Sequence, residues 1–235
     1  MGAKHMLLGV ALLLGVVGCT GRLDHASIIN KTAELNPREL LQSDVDRMAT
    51  LAMRNNLNSL FRLLGKLYQR NPREWRKGGF ATRSAAEEAI HQAIEFNQPL
   101  PQLGGRRDVA ALSYALGTDF SGDRVGAFIY ALGSMLVTAH GGRTEFYLTD
   151  SLNAEFIHNA ARNIEKAAWM LGQRRDAQGR PLVLSNDPGN LSYAVEFGKM
   201  VARLDLLTHV LEERYRRLGV NYAQGLLFIN FLPVQ

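Results

Sequence analysis

The feature that most constrains the fold is an uncharged, apolar segment near the middle of the chain, from Val125 to Ala139. A helix over this segment is too short to cross a bilayer, which needs about 20 apolar residues, and a helix that is apolar all round has to be covered on every side. The segment is rich in small residues that would let neighbouring helices approach closely: Gly126, Ala127, Ala131, Gly133 and Ser134. We therefore predict that residues 125–139 form the buried centre of a helical bundle.

Helix-start signals and apolar spacing predict further helices on both sides of this segment. Asn36–Pro37 opens a helix, Ser43–Asp44 can restart it, and apolar residues at helical spacing continue it until Asn71–Pro72, where proline prevents continuation. Asn71–Pro72 also caps a short turn through Lys77, and the capping-box pattern of Ser84 and Glu87 begins a helix to about residue 96. The fold class that follows is all-α, a single bundle-like domain of about six or seven helices around 125–139.

The same signals place the remaining helices and their ends. We expect helices over about 107–116, 152–171 and 191–218. The predicted caps are Ser121 for the central helix and Asp150 or Ser151 for the next one, and Gly219 closes the last helix. The tail 226–234 is apolar, and we expect a strand or an extended segment that packs on the bundle.

Cysteine count and charge exclude several classes of protein. Cys19 is the single cysteine, so the chain makes no internal disulfide and holds no multi-cysteine zinc site or iron–sulfur cluster by itself. Only Lys4 of the 27 basic residues precedes Cys19, so 26 basic and 22 acidic residues follow it, a net charge of +4. This mild excess favours an anionic surface, but no cluster of base-reading residues accompanies it. We therefore predict no nucleic-acid partner.

The N-terminal residues explain why the chain keeps one cysteine. Lys4 and His5 precede a short apolar stretch, Met6 to Val17, which suits the hydrophobic region of a signal peptide. The following Val16-Val17-Gly18-Cys19 resembles the lipobox of bacterial lipoproteins. The resemblance implies a lipoprotein signal peptide at 1–18 and acylation of Cys19 by palmitate-type chains. A lipidated N-terminus and tether would then occupy 19–36, and an extracytoplasmic helical domain would occupy 37–235. Thr20 is not the aspartate of an inner-membrane retention signal, which favours the periplasmic face of the outer membrane.

Two Glu-x-x-His motifs, Glu88/His91 and Glu155/His158, have the ligand spacing of ferritin-like di-iron proteins. At 100° per residue, Glu155 lies about 160° from the apolar face centred on Ile157, and Glu88 lies about 160° from the face centred on Ile90. Both glutamates are therefore expected to face solvent, and the central segment has no carboxylate to complete a site. We predict no metal and no cofactor.

Acid–base residues are the remaining candidates for catalysis. Asp205 and His209 are four residues apart, beside apolar positions 195, 202 and 206, and we expect a partly buried ion pair there. Glu145 and Asp150 bracket Phe146–Leu148 after a glycine pair, but this stretch does not resemble a lytic transglycosylase motif. A glycosidase needs one or two carboxylates in a cleft, and solvated loop charges remain the alternative. We assign no catalytic residue.

These expectations favour a non-catalytic envelope protein. It would attach to a membrane through acyl chains on Cys19 and act as a scaffold or assembly factor that binds another envelope protein. The alternative is a hydrolase of cell-wall or lipid substrates that uses Glu145, Asp150 or the Asp205/His209 pair, and a third hypothesis is a carrier of an apolar ligand. An enzyme should gather its acid–base residues in one pocket, whereas a scaffold should expose an apolar patch.

Overall fold

The central apolar segment forms a helix that is buried along its whole length. The computed structural model of the protein describes residues 43–146, 151–185 and 192–230, the last stretch with side chains for 193–224. The described residues contain seven α-helices and belong to one compact unit, Arg38–Gln235. The helices are α1 (Asp44–Arg70), α2 (Glu74–Lys77), α3 (Arg83–Glu95), α4 (Asp108–Ala115), α5 (Arg124–Ala139), α6 (Ala154–Gln173) and α7 (Ser192–Asn230), with a 3-10 turn, Pro101–Leu103, before α4.

Helix α5 confirms the prediction of an all-α bundle around 125–139. Every one of its residues except Thr138 is buried, and it packs against α1, α2, α3, α4 and α6. Close approach depends on its glycines, because an added Cβ at Gly133 would lie 2.5 Å from Cδ1 of Ile94 on α3. None of the helices in the described part of the chain is both long and apolar enough to cross a membrane.

Charged side chains fasten the long helices α1 and α7 to each other in antiparallel order. The Glu196 carboxylate is buried and accepts hydrogen bonds from Lys66 at 3.1 Å and Arg62 at 3.4 Å. Burial alone would raise the pKa of Glu196, but the ammonium of Lys66 and the guanidinium of Arg62 hold it below its usual value. Farther along, Arg214 of α7 pairs with Asp46 at 3.3 Å, close to the start of α1.

Several predicted caps are wrong although the helices they open are present. The capping box lies at Ser43 and Asp46, not at Ser84 and Glu87, and Thr82 caps α3. The cap of α5 is Asp123 instead of Ser121, and the cap of α6 is Asn153 instead of Asp150 or Ser151. Asn71 ends α1 but does not cap the next helix, because α2 begins only at Glu74. The observed N-caps of α1, α3, α5 and α6 each accept a backbone N–H inside the first turn, and several Ser, Thr, Asp and Asn residues compete for that place.

The last helix is longer than predicted. Gly219 does not end it, and α7 continues without interruption to Asn230, so 226–230 is helical and not strand or extended chain. Glycine costs about 1 kcal/mol in a helix interior, which lowers helix stability but does not break the helix. A turn follows α6, in which the Asp176 carboxylate accepts the backbone N–H groups of Gln178 and Arg180 at 2.9 Å.

Candidate binding groove

A shallow groove of about 210 Å³ lies where α4, α5 and α6 meet. Its floor is apolar and consists of the buried Met135 and Ala139 from the end of α5 and Ala160 from α6. Two large apolar side chains border it and are open to solvent: Val109 on α4 is 46% exposed and Phe156 on α6 is 56% exposed. The groove is thus an apolar surface that the fold leaves accessible.

Asp108 sets one polar end of this groove. It is the first residue of α4 and adopts a φ of 53°, in the left-handed region that non-glycine residues rarely occupy. Its backbone N–H donates to Oγ of Ser134 at 2.8 Å, and its carboxylate accepts from the Thr138 hydroxyl at 3.1 and 3.2 Å. The two contacts with α5 hold this backbone geometry and fix a negative charge at the mouth of the groove.

Two asparagines supply the other polar groups. Asn159 and Asn163 lie one turn apart on α6 and line the groove beside Phe156. Four residues of helix rise about 6 Å, and alternate residues of an extended peptide repeat about every 6.7 Å. Each amide carries donors and an acceptor, so the pair matches the hydrogen-bonding groups of an extended backbone.

Sequence reasoning missed this groove, although one signal was present. On a helical wheel Phe156, Asn159 and Asn163 lie on one side of α6, about 100° to 160° away from the buried Ile157. The predicted buried face itself is confirmed, with Ile157, Ala160, Ala161, Ile164 and Leu171 inside and Ala168 partly buried. The position of Asp108 could not be foreseen, because its positive φ depends on contacts with α5.

The two Glu-x-x-His motifs face solvent at their glutamates, as the wheel predicts. Glu88 is exposed and accepts from Gln92 at 2.7 Å, while His91 stacks on Phe61 with ring centroids 3.7 Å apart. Glu155 and His158 are exposed on α6. No group of three or more His, Cys, Asp and Glu side chains within the described ranges is arranged to hold a metal ion.

The predicted Asp205/His209 ion pair is wrong. Asp205 instead pairs with Arg162 of α6, at 2.7 Å, and His209 pairs with Glu212 at 3.5 Å while its side chain stays 77% exposed. The apolar positions that suggested burial also face outward: Val195 is 46% exposed and Leu206 is 55% exposed. Asp205 and His209 are therefore not brought together as an acid–base pair.

Glu145 lies at a second surface cleft, of about 330 Å³, between α1, the end of α3 and the loop after α5. Glu95 and Arg54 line the same cleft, together with the rings of Phe61 and Phe96. Both glutamates are exposed, and Phe96 is 68% exposed. Asp150 and Cys19, the other predicted site residues, lie outside the described residues.

A buried polar cluster at the start of α5 was also missed. Asp123 caps α5 through the N–H of Gly126 at 2.9 Å and accepts the hydroxyl of Tyr68 at 2.5 Å. Burial raises the pKa of the Asp123 carboxyl, and burial together with the charge of Asp123 raises the pKa of Tyr68. The guanidinium of the adjacent Arg124 donates to main-chain carbonyls of the α4–α5 connection. Because its groups are paired within the protein, we assign this cluster to stability.

A different buried group closes the other end of α5. His140 is completely buried and its Nδ1 lies 2.8 Å from the carbonyl oxygen of Leu136, while Nε2 has no hydrogen-bond partner among the described residues. Burial lowers the pKa of His140 to about 4. The neutral ring is therefore the form that the folded protein holds at neutral pH, one residue after the groove residue Ala139.

No protein-family model, no curated protein and no solved structure gives a significant match to this chain.

Proposed function

We propose that this protein is a lipid-anchored scaffold of the bacterial cell envelope that holds a partner protein by an extended peptide segment. The observation that carries the proposal is the solvent-open groove with an apolar floor between α4, α5 and α6. Binding sites for peptides combine apolar pockets with a few polar groups that align the backbone. The groove offers both.

The chemistry of the groove defines the segment that fits it. Met135, Ala139 and Ala160 accept small or medium apolar side chains, and the amides of Asn159 and Asn163 accept an extended backbone. The Asp108 carboxylate favours a basic side chain at one end of the segment. We therefore propose an apolar peptide with one lysine or arginine as the ligand.

The membrane anchor is the second part of the proposal. The short apolar stretch from Met6 to Val17, followed by Gly18 and Cys19, supports lipidation of the cysteine after export. Two or more acyl chains give persistent attachment, whereas one chain binds only marginally. Palmitate labelling in cells should detect the wild-type chain and should fail with Cys19→Ser, and equal labelling of both chains would refute the anchor.

Site-specific photocrosslinking in cells tests the groove directly. A photoreactive amino acid is placed at Val109, beside the groove, in the full chain. We expect it to capture one defined peptide of one envelope protein, with apolar residues and a basic side chain. Phe156→Asp should reduce this adduct several-fold. Trp169→Asp is the matched control, because Trp169 lies on the same helix, is 64% exposed and does not line the groove. Adducts that Phe156→Asp leaves unchanged would refute the groove as the binding site.

The cleft at Glu145 favours a second function, the hydrolysis of cell-wall glycan. Glycosidases use a pair of carboxylates, and aromatic rings such as Phe61 and Phe96 provide apolar faces for sugars. If this function is correct, purified protein should release soluble fragments from cell walls, and Glu145→Gln or Glu95→Gln should abolish the release. Fragment release that survives both substitutions would refute a role for this cleft.

A further inference from the structure

Two guanidinium groups converge on one hydroxyl where α1 and α7 meet. Nη2 of Arg62 donates to Oγ of Ser59 at 3.1 Å, and Nη1 of Arg203 donates to the same oxygen at 3.0 Å. A neutral oxygen thus lies between two positive charges, which repel each other at this short range. Between residues 47 and 70, α1 contains five basic residues and no acidic residue, so this part of the helix supplies no carboxylate to balance them.

One buried carboxylate lies beside these groups, and another cation already balances it. The carboxylate of Glu196 lies 3.1 Å from Nζ of Lys66. It lies farther from Nε of Arg62, at 3.4 Å, and from Nζ of Lys199, at 3.9 Å. Arg203 has no carboxylate within ion-pair distance among the described residues and donates to neutral oxygens instead. We call Arg62, Lys199 and Arg203 the basic seam, and its positive charge exceeds the acidic charge that these residues contact.

Hydrogen-bond donors also outnumber acceptors at the basic seam. Asn56 is completely buried, and its Oδ1 accepts from Arg203 at 3.3 Å, while its Nδ2 has no partner within the described part of the chain. The side chains of Arg62 and Lys199 are 51% and 47% exposed, so both present N–H groups to solvent. A ligand that brings negative charge together with several oxygen acceptors therefore complements this place.

We propose that the basic seam binds a phosphate group. Phosphate combines negative charge with several acceptor oxygens, and the planar fork of an arginine matches two of these oxygens at once. The guanidiniums of Arg62 and Arg203 approach the phosphate from two helices, and Lys199, one helical turn before Arg203, adds a third positive charge. Because the seam is open to solvent, a dissolved phosphate compound and a phospholipid headgroup can both reach it. The seam shares no residue with the groove between α4, α5 and α6, so its test is independent of the peptide site.

Titration with inorganic phosphate tests the basic seam in the full chain. The side-chain Nε–H resonances of the arginines are followed by NMR, and sodium chloride keeps the ionic strength constant. We expect saturable shifts of the Arg62 and Arg203 resonances. Lys199→Gln should weaken phosphate binding about tenfold, because it removes a charge-assisted hydrogen bond. Lys166→Gln is the matched control, since it removes the same charge from an exposed position on α6 and should leave the affinity unchanged.

Two substitutions at one arginine separate loss of charge from loss of the fork. Arg62→Gln removes both and should weaken phosphate binding about tenfold. Arg62→Lys keeps the positive charge beside Glu196 but lacks the planar fork, so it should weaken binding by a smaller factor. This second variant also keeps the two helices fastened, so that a loss of affinity in it reports on the seam and not on unfolding.

Vesicles distinguish the two sources of the phosphate group. The full chain with Cys19→Ser, which cannot be acylated, is mixed with phosphatidylcholine vesicles that contain or lack phosphatidylglycerol. Binding that requires phosphatidylglycerol, and that Lys199→Gln weakens more than Lys166→Gln, would support a headgroup as the ligand. Saturable binding of inorganic phosphate with the same difference between the two variants, and no such difference with vesicles, would support a dissolved phosphate compound. If neither probe distinguishes Lys199→Gln from Lys166→Gln, the proposal is overturned.

Discussion

Mild acid should destabilise this protein through His140 before it acts on the surface carboxylates. In the folded state His140 is buried, its Nε2 has no hydrogen-bond partner among the described residues, and burial lowers its pKa to about 4. A histidine in the unfolded chain has a pKa of about 6.5. Between these two values the unfolded state binds the additional proton, so the free energy of unfolding falls as the pH falls.

The size of the effect follows from the two pKa values. Full stability is present above pH 6.5, about 1 kcal/mol is lost by pH 5.5, and about 2 to 3 kcal/mol is lost by pH 4.5. The loss should level off below the folded pKa of about 4, because both states are then protonated. For a protein with an ordinary stability of about 5 to 15 kcal/mol, this change is easy to measure.

Urea unfolding of the wild type and of His140→Gln at pH 7.5, 6.5, 5.5 and 4.5 isolates this contribution. Glutamine is neutral at every pH and keeps an N–H for the Leu136 carbonyl. The buried Asp123, with its raised pKa, acts in the opposite direction, since its contribution to stability is lost as the pH rises. Because both chains contain Asp123, its effect cancels in the difference. If the two stabilities depend on pH in parallel, His140 does not carry the effect.

Two further changes test the packing and the caps, each by chemical denaturation against a control. Gly133→Ala should lose about 1 to 3 kcal/mol, since its methyl group would overlap the neighbouring isoleucine of α3, whereas Gly198→Ala, with open space around it, should gain up to about 1 kcal/mol. An equal response at both positions would contradict the close packing of α3 and α5. Asp123→Ala should lose about 2 to 4 kcal/mol because it removes a cap and leaves the Tyr68 hydroxyl unpaired. Asn153→Ala removes only a cap and should cost about 1 kcal/mol; similar losses for both would show that the buried pair adds nothing.

The central helix could be predicted because its composition leaves one solution. An uncharged apolar segment that is too short for a membrane has to lie inside a bundle, and α5 is buried there. The N-cap residues are harder to predict from the sequence than the central helix. Ser121 and Asp123 are both good N-cap residues, and the choice between them depends on Tyr68, which is 55 residues away in the chain and holds the Asp123 carboxylate.

The Asp205/His209 prediction failed because α7 has two apolar stripes. Val195 and Leu206 define one of them, but Phe197, Met200 and Leu204 lie on the opposite side and are buried in the core. The spacing in the sequence gives the angle between the two stripes, but it does not tell which stripe packs against the core. The groove was missed for a related reason, since it combines residues of three helices whose relative positions are set by packing around α5.

His140 also links the loss of stability at low pH to the candidate groove. It follows directly after α5, whose last turns supply Met135, Thr138 and Ala139 to the groove. Local opening of these turns exposes the His140 ring to water, so protonation of the ring should favour the open state. Corrected for intrinsic rates, amide protection at 138–142 should fall about tenfold between pH 7.5 and 5.5 in the wild type and stay constant in His140→Gln. A peptide bound in the groove should restore the protection, because it holds the same turns closed. Equal loss of protection in both chains would separate His140 from the groove and leave it as a packing residue of the core.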